Sequence, residues 1–298
     1  VSLWLPQRSA VSRGGARRLG LSAALGLGVL LMSGCSSEAR RLAMPEPVTE
    51  QGEHTLDLWQ GAWIAALVTG VVVWGLIFWV VVRYRRRSDD EIPVQTRYNL
   101  PLEIFYTVAP IMMVIVFFAQ TVRVQNIVLD EDTPPDQTIG VVGFQWSWAF
   151  NYALDDENGD GVSETDRYVW EAGTAGYIPT LYVPEGSTTR FELSSPDVIH
   201  DFGVPGFLIK MDVIPGRDNS FQVTPKRLGE FAGKCYELCG TYHSRMLFNV
   251  QVVPQEKYDA YLQTLVDAGR ETDAPITGGE FVRTQAGAPT DETEGAAE

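Results

Sequence analysis

Cys235 and Cys239 are separated by three residues, His243 follows Cys239 at the same gap, and Met246 closes the stretch EFAGKCYELCGTYHSRM. Thiolate, imidazole and thioether are soft or borderline donors, and together they select copper over hard cations. Four such donors fall within twelve residues. A single zinc could take Cys235, Cys239 and His243, but a structural zinc site has little use for a thioether. A blue-copper site uses one Cys, not two. Two Cys with a Met and more than one His suit two coppers bridged by both sulfurs.

The loop holds one His, and the chain has two more, His54 and His200. His54 lies near the N-terminus, outside the domain that carries the loop. His200 stands at the end of the strand-like run in SSPDVIHDFGVPGF, where Gly203, Pro205 and Gly206 turn the chain away. Taken singly, either His is more often an ordinary surface or core residue. The Cys pair is what makes His200 and His243 candidate ligands.

A rigid frame has to bring these residues together. From Gln137 the pattern is one of β-branched and aromatic runs broken by Gly, Pro and Asp. Candidate strands are Thr138–Tyr152, Ile178–Val183, Thr188–Ser194, Ser220–Thr224, Gly229–Ala232 and Leu247–Val253. Short strands with turn signals between them predict an antiparallel sandwich or barrel. Residues 255–268 carry Tyr258, Tyr261, Leu262 and Leu265 at helical spacing. The Gly-, Ala-, Thr- and Glu-rich residues 270–298 lack a core and read as a disordered acidic tail.

Upstream lie two apolar runs, Leu58–Tyr84 and Ile104–Val122, each near the ~20 residues that span a bilayer. Arg83, Arg85, Arg86 and Arg87 follow the first run and place that end in the cytoplasm. Pro101 opens the second run, and Pro110 should kink it. The result is a transmembrane hairpin with both ends outside. Glu103, where the second span begins, reads on residue type alone as an interfacial anchor. Residues 1–34 read as an export signal, with Arg13, Arg17 and Arg18 before a short apolar stretch. Met32-Ser33-Gly34-Cys35 resembles a bacterial lipoprotein box in which Cys35 is lipidated, with Met where Leu is usual.

Charge is unevenly placed. Residues 1–126 hold 12 Lys and Arg against 9 Asp and Glu, while residues 127–298 hold 11 against 29. An acidic exported domain repels nucleic acid and attracts basic partners. Part of the acid lies in an insertion between Asn151 and Tyr177. Asp156-Glu157-Asn158-Gly159-Asp160-Gly161 looks like the start of a calcium loop, but Arg167 stands where a bidentate Glu is needed. A hairpin extension facing solvent or a partner is the better reading.

Pro184-Glu185-Gly186, Asp197-Val198-Ile199-His200, Lys210-Met211-Asp212-Val213-Ile214-Pro215-Gly216-Arg217 and Cys235 to Met246 closely resemble subunit II of the haem-copper cytochrome c oxidases. The resemblance covers roughly residues 55 to 265. It implies a two-helix transmembrane hairpin followed by an all-β cupredoxin-like Greek-key sandwich. It implies a binuclear copper centre on His200, Cys235, the Glu237 carbonyl, Cys239, His243 and Met246. The Glu237 side chain then holds a magnesium shared with subunit I, and Asp212 and Arg217 sit at that subunit interface. In Gly143-Phe144-Gln145-Trp146-Ser147-Trp148, Trp146 takes the place of the exposed Trp that receives electrons from the donor haem. Phe144 and Ser147 depart from the usual His and Tyr. Leu102-Glu103-Ile104-Phe105-Tyr106-Thr107 places Glu103 at the entrance of a proton path, with Tyr106 where Trp is common.

The implied complex is a proton-translocating cytochrome c oxidase with subunits I and III. This chain is its electron-accepting subunit, supplied by a c-type cytochrome that is soluble or membrane-bound, a supercomplex being one such arrangement. The chain lacks C-x-x-C-H, so the donor haem is on another protein. The expected organisation is a lipoprotein-type signal over 1–34, an exported linker over 35–57, the hairpin over 58–126, the copper domain over 127–269 and the tail over 270–298. The location is a bacterial plasma membrane with both termini outside, and the lipobox, insertion and tail suit a Gram-positive cell that tethers its donor. A quinol oxidase subunit II would lack the copper ligands. A membrane-tethered copper chaperone would want an exposed, exchangeable site and has no use for Asp212, Arg217 or the Glu237 side chain.

Overall fold

The computed structural model describes residues 37–278, apart from 89, 93, 157, 158 and 175. The expected export signal over 1–34, Cys35 and residues 279–298 of the expected tail lie outside the described residues. The chain divides into two units, 1–44 and 45–298. Of the first, one helical turn, Ser37–Arg40, is described.

In the second unit, helix α1 (Glu50–Arg83) and helix α2 (Leu100–Val128) are both long and apolar enough to cross a membrane. Their large apolar side chains are exposed over most of their length, as expected of surfaces that meet lipid or another subunit. Thr49 caps α1 by accepting from the Gly52 N–H, and Asn99 caps α2 by accepting from that of Leu102. The Glu103 carboxylate accepts the Asn99 N–H at 2.8 Å, so this side chain also closes the start of α2.

Among the described residues the chain continues with strands β1 (Gln137–Phe144), β2 (Ser147–Ala153), β3 (Tyr168–Ala172), β4 (Thr180–Pro184), β5 (Thr189–Ser194), β6 (His200–Val204), β7 (Ile209–Val213), β8 (Asn219–Val223), β9 (Gly229–Cys235) and β10 (Leu247–Val253), then helix α3 (Gln255–Asp267) and strand β11 (Glu271–Thr272). The strands form one sheet of order β11-β3-β2-β1-β5-β8 and a second of order β4-β10-β9-β6-β7. The β1–β5 and β4–β10 pairs are parallel and the other pairs antiparallel. This is an all-β cupredoxin-like sandwich behind a helical hairpin. Its core interleaves aromatics from both sheets. Trp148 meets Phe202 and Phe248 edge-on, and Phe202 stacks on Phe248 at 4.7 Å.

The expected run Thr138–Tyr152 is two strands, because the chain turns back at Gln145 and Trp146. The insertion contributes β3 to the sheet rather than standing off as a separate hairpin. Asp156 uses both carboxylate oxygens to accept the N–H groups of Gly159 and Gly161, and Arg167 pairs with Glu271. Residues 50–57, read as linker, are the first two turns of α1. The segment before them is bonded to the sandwich through Val48 N–H to Gly206 O and Lys226 N–H to Val48 O, both at 2.7 Å. The tail does not begin at residue 270. Arg270–Gly278 lies on the six-stranded sheet, with β11 paired to β3 and Ile276 bonded to both ends of the Asn151 amide.

Gly233 on β9 faces the Phe248 ring, which fills the space a side chain would need. The Gly233→Ala substitution is expected to cost about 1–3 kcal/mol through overpacking. Denaturant unfolding of the full chain in detergent measures this, and an unchanged midpoint would contradict it.

Candidate metal centre

His200 is the first residue of β6, not the last of the preceding run, and it is fully buried. Cys235 is the last residue of β9, and Met246 immediately precedes β10. Between them the loop carries Glu237, Cys239 and a 3₁₀ turn beginning at His243. Two antiparallel neighbours, β6 and β9, therefore deliver His200 and Cys235 side by side, while the loop folds the other donors over them.

The donor atoms converge. Cys235 Sγ lies 3.9 Å from His200 Nδ1, 3.1 Å from the Glu237 carbonyl oxygen and 3.9 Å from Cys239 Sγ. Cys239 Sγ lies 3.6 Å from His243 Nδ1 and 3.7 Å from Met246 Sδ. Ligand bonds of about 2.0–2.3 Å to a shared ion require donor separations of this size. His200 and the Glu237 carbonyl approach Cys235, and His243 and Met246 approach Cys239, while the ligand atoms of His200 and both thiols all lie within 4.8 Å of one another. These soft and borderline donors suit copper. Both thiols are buried and Met246 is fully so.

Electrostatics fit a site that trades a proton for a cation. Contact with Cys239 and with the His200 ring lowers the Cys235 pKa against the cost of burial. The contact between the two thiols, together with burial, raises the Cys239 pKa above the usual thiol range. A metal cation replaces the thiol proton.

The Asp197 carboxylate fixes the far side of His200. Asp197 Oδ1 lies 2.9 Å from His200 Nε2, which leaves Nδ1 toward the sulfur. The same carboxylate accepts the N–H groups of Gln145 and Val198, each at 2.6 Å. Burial alone would raise the Asp197 pKa, but these bonds outweigh it and the value is lowered. Burial likewise works against protonated His200, yet Asp197 and Cys235 raise its pKa overall.

Trp146 sits in the β1–β2 turn, half-buried, with its indole N–H on the Cys239 carbonyl at 3.2 Å and its ring edge-on to Tyr242. The Gln145 amide donates to the same carbonyl at 2.8 Å. Trp148, two residues on, is instead a core residue. Gly143 gives His200 its room, since a Cβ there would come within 3.3 Å of the imidazole. Asp212 and Arg217 are exposed on β7 and the turn after it, and the Glu237 side chain is also exposed. Glu103 is in the helical hairpin, where its described partner is the Asn99 N–H. Sequence reasoning quoted Asp197 without giving it a role and passed over Gln145. The three-residue offset between Asp197 and His200 was the available signal.

Residues 137–253 match the family model described as cytochrome c oxidase subunit II, periplasmic domain. A probable cytochrome c oxidase subunit 2 from Streptomyces avermitilis is 47% identical over 282 residues, covering 85% of this chain and 88% of the relative. The chain belongs to the cytochrome c oxidase subunit II family. A cytochrome c oxidase subunit 2 from Mycobacterium bovis is 37% identical and covers 87% of this chain and 85% of its own length. The periplasmic domain of subunit II of cytochrome oxidase from Bradyrhizobium japonicum is 27% identical, covers 46% of this chain and 97% of that domain, and has a TM-score of 0.39. Family membership, two spanning helices and the sandwich make this a membrane protein with an extracytoplasmic domain.

Removing the Asp197 carboxylate while keeping all the donors is expected to weaken copper binding about 10–100-fold. Competition of Asp197→Ala against a chelator of known affinity checks this. Affinity equal to the unmodified chain would remove Asp197 from the centre.

Proposed function

We propose that this chain is the electron-accepting subunit of a respiratory, proton-pumping cytochrome c oxidase. It takes electrons from a c-type cytochrome and delivers them toward haem in subunit I, where oxygen is reduced to water. The observation that carries this reading is the convergence of two buried sulfurs with two imidazole Nδ1 atoms, a thioether and one carbonyl. Held by His200, Cys235, the Glu237 carbonyl, Cys239, His243 and Met246, a pair of coppers would supply a one-electron carrier whose charge is shared between two nuclei.

The protein's own residues serve that role in stated ways. The strands hold the ligands, so little geometry has to relax between redox states. Trp146, bonded to the carbonyl of ligand Cys239, offers a short route from the surface inward. The exposed Glu237 side chain, Asp212 and Arg217 offer carboxylate and guanidinium groups to subunit I, and a hard cation such as magnesium suits Glu237 there. Glu103, at the cytoplasmic start of α2, marks the mouth of a proton path. Cys35 carries the lipid that anchors the outward-facing N-terminus, and the C-terminus is on the same side. Subunits I and III complete the complex. The donor is soluble or membrane-bound, and held in a supercomplex in the latter case. Acidic residues 127–298 suit a basic donor and not nucleic acid.

The full chain, purified in detergent and loaded with copper, tests the proposal by electron paramagnetic resonance. One electron shared over two copper nuclei gives more hyperfine lines than one copper can. The expected pattern is present in the unmodified chain and lost in Cys235→Ser. A one-copper spectrum, or copper stripped rapidly by a weak chelator, would favour a copper chaperone instead. In the assembled oxidase, Trp146→Ala is expected to slow oxidation of the cytochrome severely while leaving the copper spectrum intact. Unchanged turnover would take Trp146 off the route.

A further inference from the structure

The two membrane helices leave a groove between them that neither the copper centre nor the sandwich core uses. Its volume is about 930 Å³, and residues of both α1 and α2 line it. The two ends of the groove differ in chemistry. His54 and Asp57 of α1, with Gln120 and Arg123 of α2, line the end where α1 starts and α2 finishes. Met112, Met113, Val116 and Phe117 of α2 line the other end. Opposite them α1 presents only the small residues Gly61, Ala62 and Ala65. A Cβ on Gly61 would meet nothing within 4 Å, so the wall is open there.

Helix rise sets the depth of each end in the bilayer. Gln120 lies about 30 Å along α2 from Leu100, the thickness of a hydrocarbon core. Ala62 lies about 30 Å along α1 from Arg83 by the same count. The methionine end is therefore at acyl-chain depth, while His54, Asp57 and Arg123 are at headgroup depth. The sandwich that follows α2 is extracytoplasmic, so these headgroups belong to the outer leaflet. Asp57 and Arg123 are both exposed at the mouth of the groove. Among the described residues neither side chain has a hydrogen-bond or ion-pair partner. An arginine that only anchored a helix end would turn out to water. Here two opposite charges line one cavity.

We propose that this groove binds one outer-leaflet glycerophospholipid with a zwitterionic, ammonium-bearing headgroup of the phosphatidylethanolamine kind. Arg123 takes the phosphate, whose oxygens its guanidinium matches in pairs. Asp57 takes the ammonium. Gln120 and His54 share the mouth and offer hydrogen bonds to the remaining phosphate and ester oxygens. One acyl chain lies along Met112, Val116 and Phe117, in the space that Gly61, Ala62 and Ala65 leave. The charges at the mouth select the headgroup. An anionic lipid would satisfy Arg123 and set its net charge against Asp57. A helix of another subunit would fill the apolar end and leave both charges without partners at the membrane edge. The bound lipid joins α1 to α2 directly beneath the sandwich.

The assembled oxidase in detergent, given phosphatidylethanolamine with a photoreactive diazirine on one acyl chain, provides the test. Mass spectrometry of its labelled peptides is expected to find the label on residues 112–117. Unlabelled phosphatidylethanolamine should displace it about fivefold better than phosphatidylglycerol does. Asp57→Asn combined with Arg123→Gln is expected to lower labelling about fivefold and to erase that preference. Gly61→Leu puts a side chain into the open groove and should lower labelling while both charges remain. The copper spectrum and the yield of assembled oxidase, read in parallel, should match the unmodified enzyme in both variants. No label on 112–117 of the unmodified enzyme, as when a helix of another subunit fills the groove, would overturn the site. Equal displacement by the two lipids would overturn the zwitterionic headgroup. Labelling that ignores both variants would show general solvation of the hairpin and no bound lipid.

Discussion

One carboxylate, Asp197, joins parts of the chain that would otherwise be independent. It holds the back of His200, the start of the β1–β2 turn and its own loop. The turn in turn holds the Cys239 carbonyl through Gln145 and Trp146. A buried imidazole with a free back edge would choose among tautomers and ring orientations, and the donor set would lose its convergence. The network resolves that choice before any metal arrives. It also means that the surface tryptophan and the buried ligand share one rigid frame.

Much of this could be read from residue types. The convergence of the four soft side chains of the loop with the distant His200 was legible because such residues at that spacing have few other uses. The two apolar runs were legible from length alone. What escaped the sequence depended on contacts remote in the chain. Strand β6 carries Gly203, which reads as a turn residue. It is a glycine because Tyr236 lies across it, its ring 2.7 Å from where a Cβ would be. Strand β3 was hidden in an acidic stretch whose apolar positions, Tyr168, Val169 and Ala172, make sense only against β2. Residues 270–278 looked coreless because their partners, Asn151, Phe144 and Glu171, are 99 or more residues away. The near-continuous apolar run of β1 is explained by the same fact. Its inner face meets the core and its outer face meets the docked segment.

Two buried carboxylates of the sandwich are held by partners, although one oxygen of Asp201 is left without a hydrogen bond. Glu171 is almost fully buried but has Arg270 and Tyr177 as partners. Asp201 is equally buried and pairs with Lys210 through one oxygen, at 2.6 Å. Such groups are costly when alone and tolerable when paired, and each fixes the relation between two segments that hydrophobic packing would leave free to slide. In this domain they sit at the margins of the aromatic core. The core supplies non-directional cohesion, and the marginal pairs supply register.

The attachment of the sandwich to its two helices has a mechanical consequence. Ahead of α1, Val48 bonds to Gly206 and Lys226, and the Thr49 hydroxyl reaches the Phe207 carbonyl. Gly52 lies so near that carbonyl that a Cβ would be 2.9 Å from it. After α2, Glu131 takes the Ser220 hydroxyl and offers its carbonyl to Arg190, while Thr133 bonds Gln222. A body hung from one hinge can swing, whereas one pinned at two separated points cannot. For the electron-accepting role proposed above this would matter, because tunnelling rates fall exponentially with distance and a swinging domain would hold no fixed distance to an acceptor. The double mounting turns the sandwich into a fixed bracket whose height above the bilayer is set by the helices themselves.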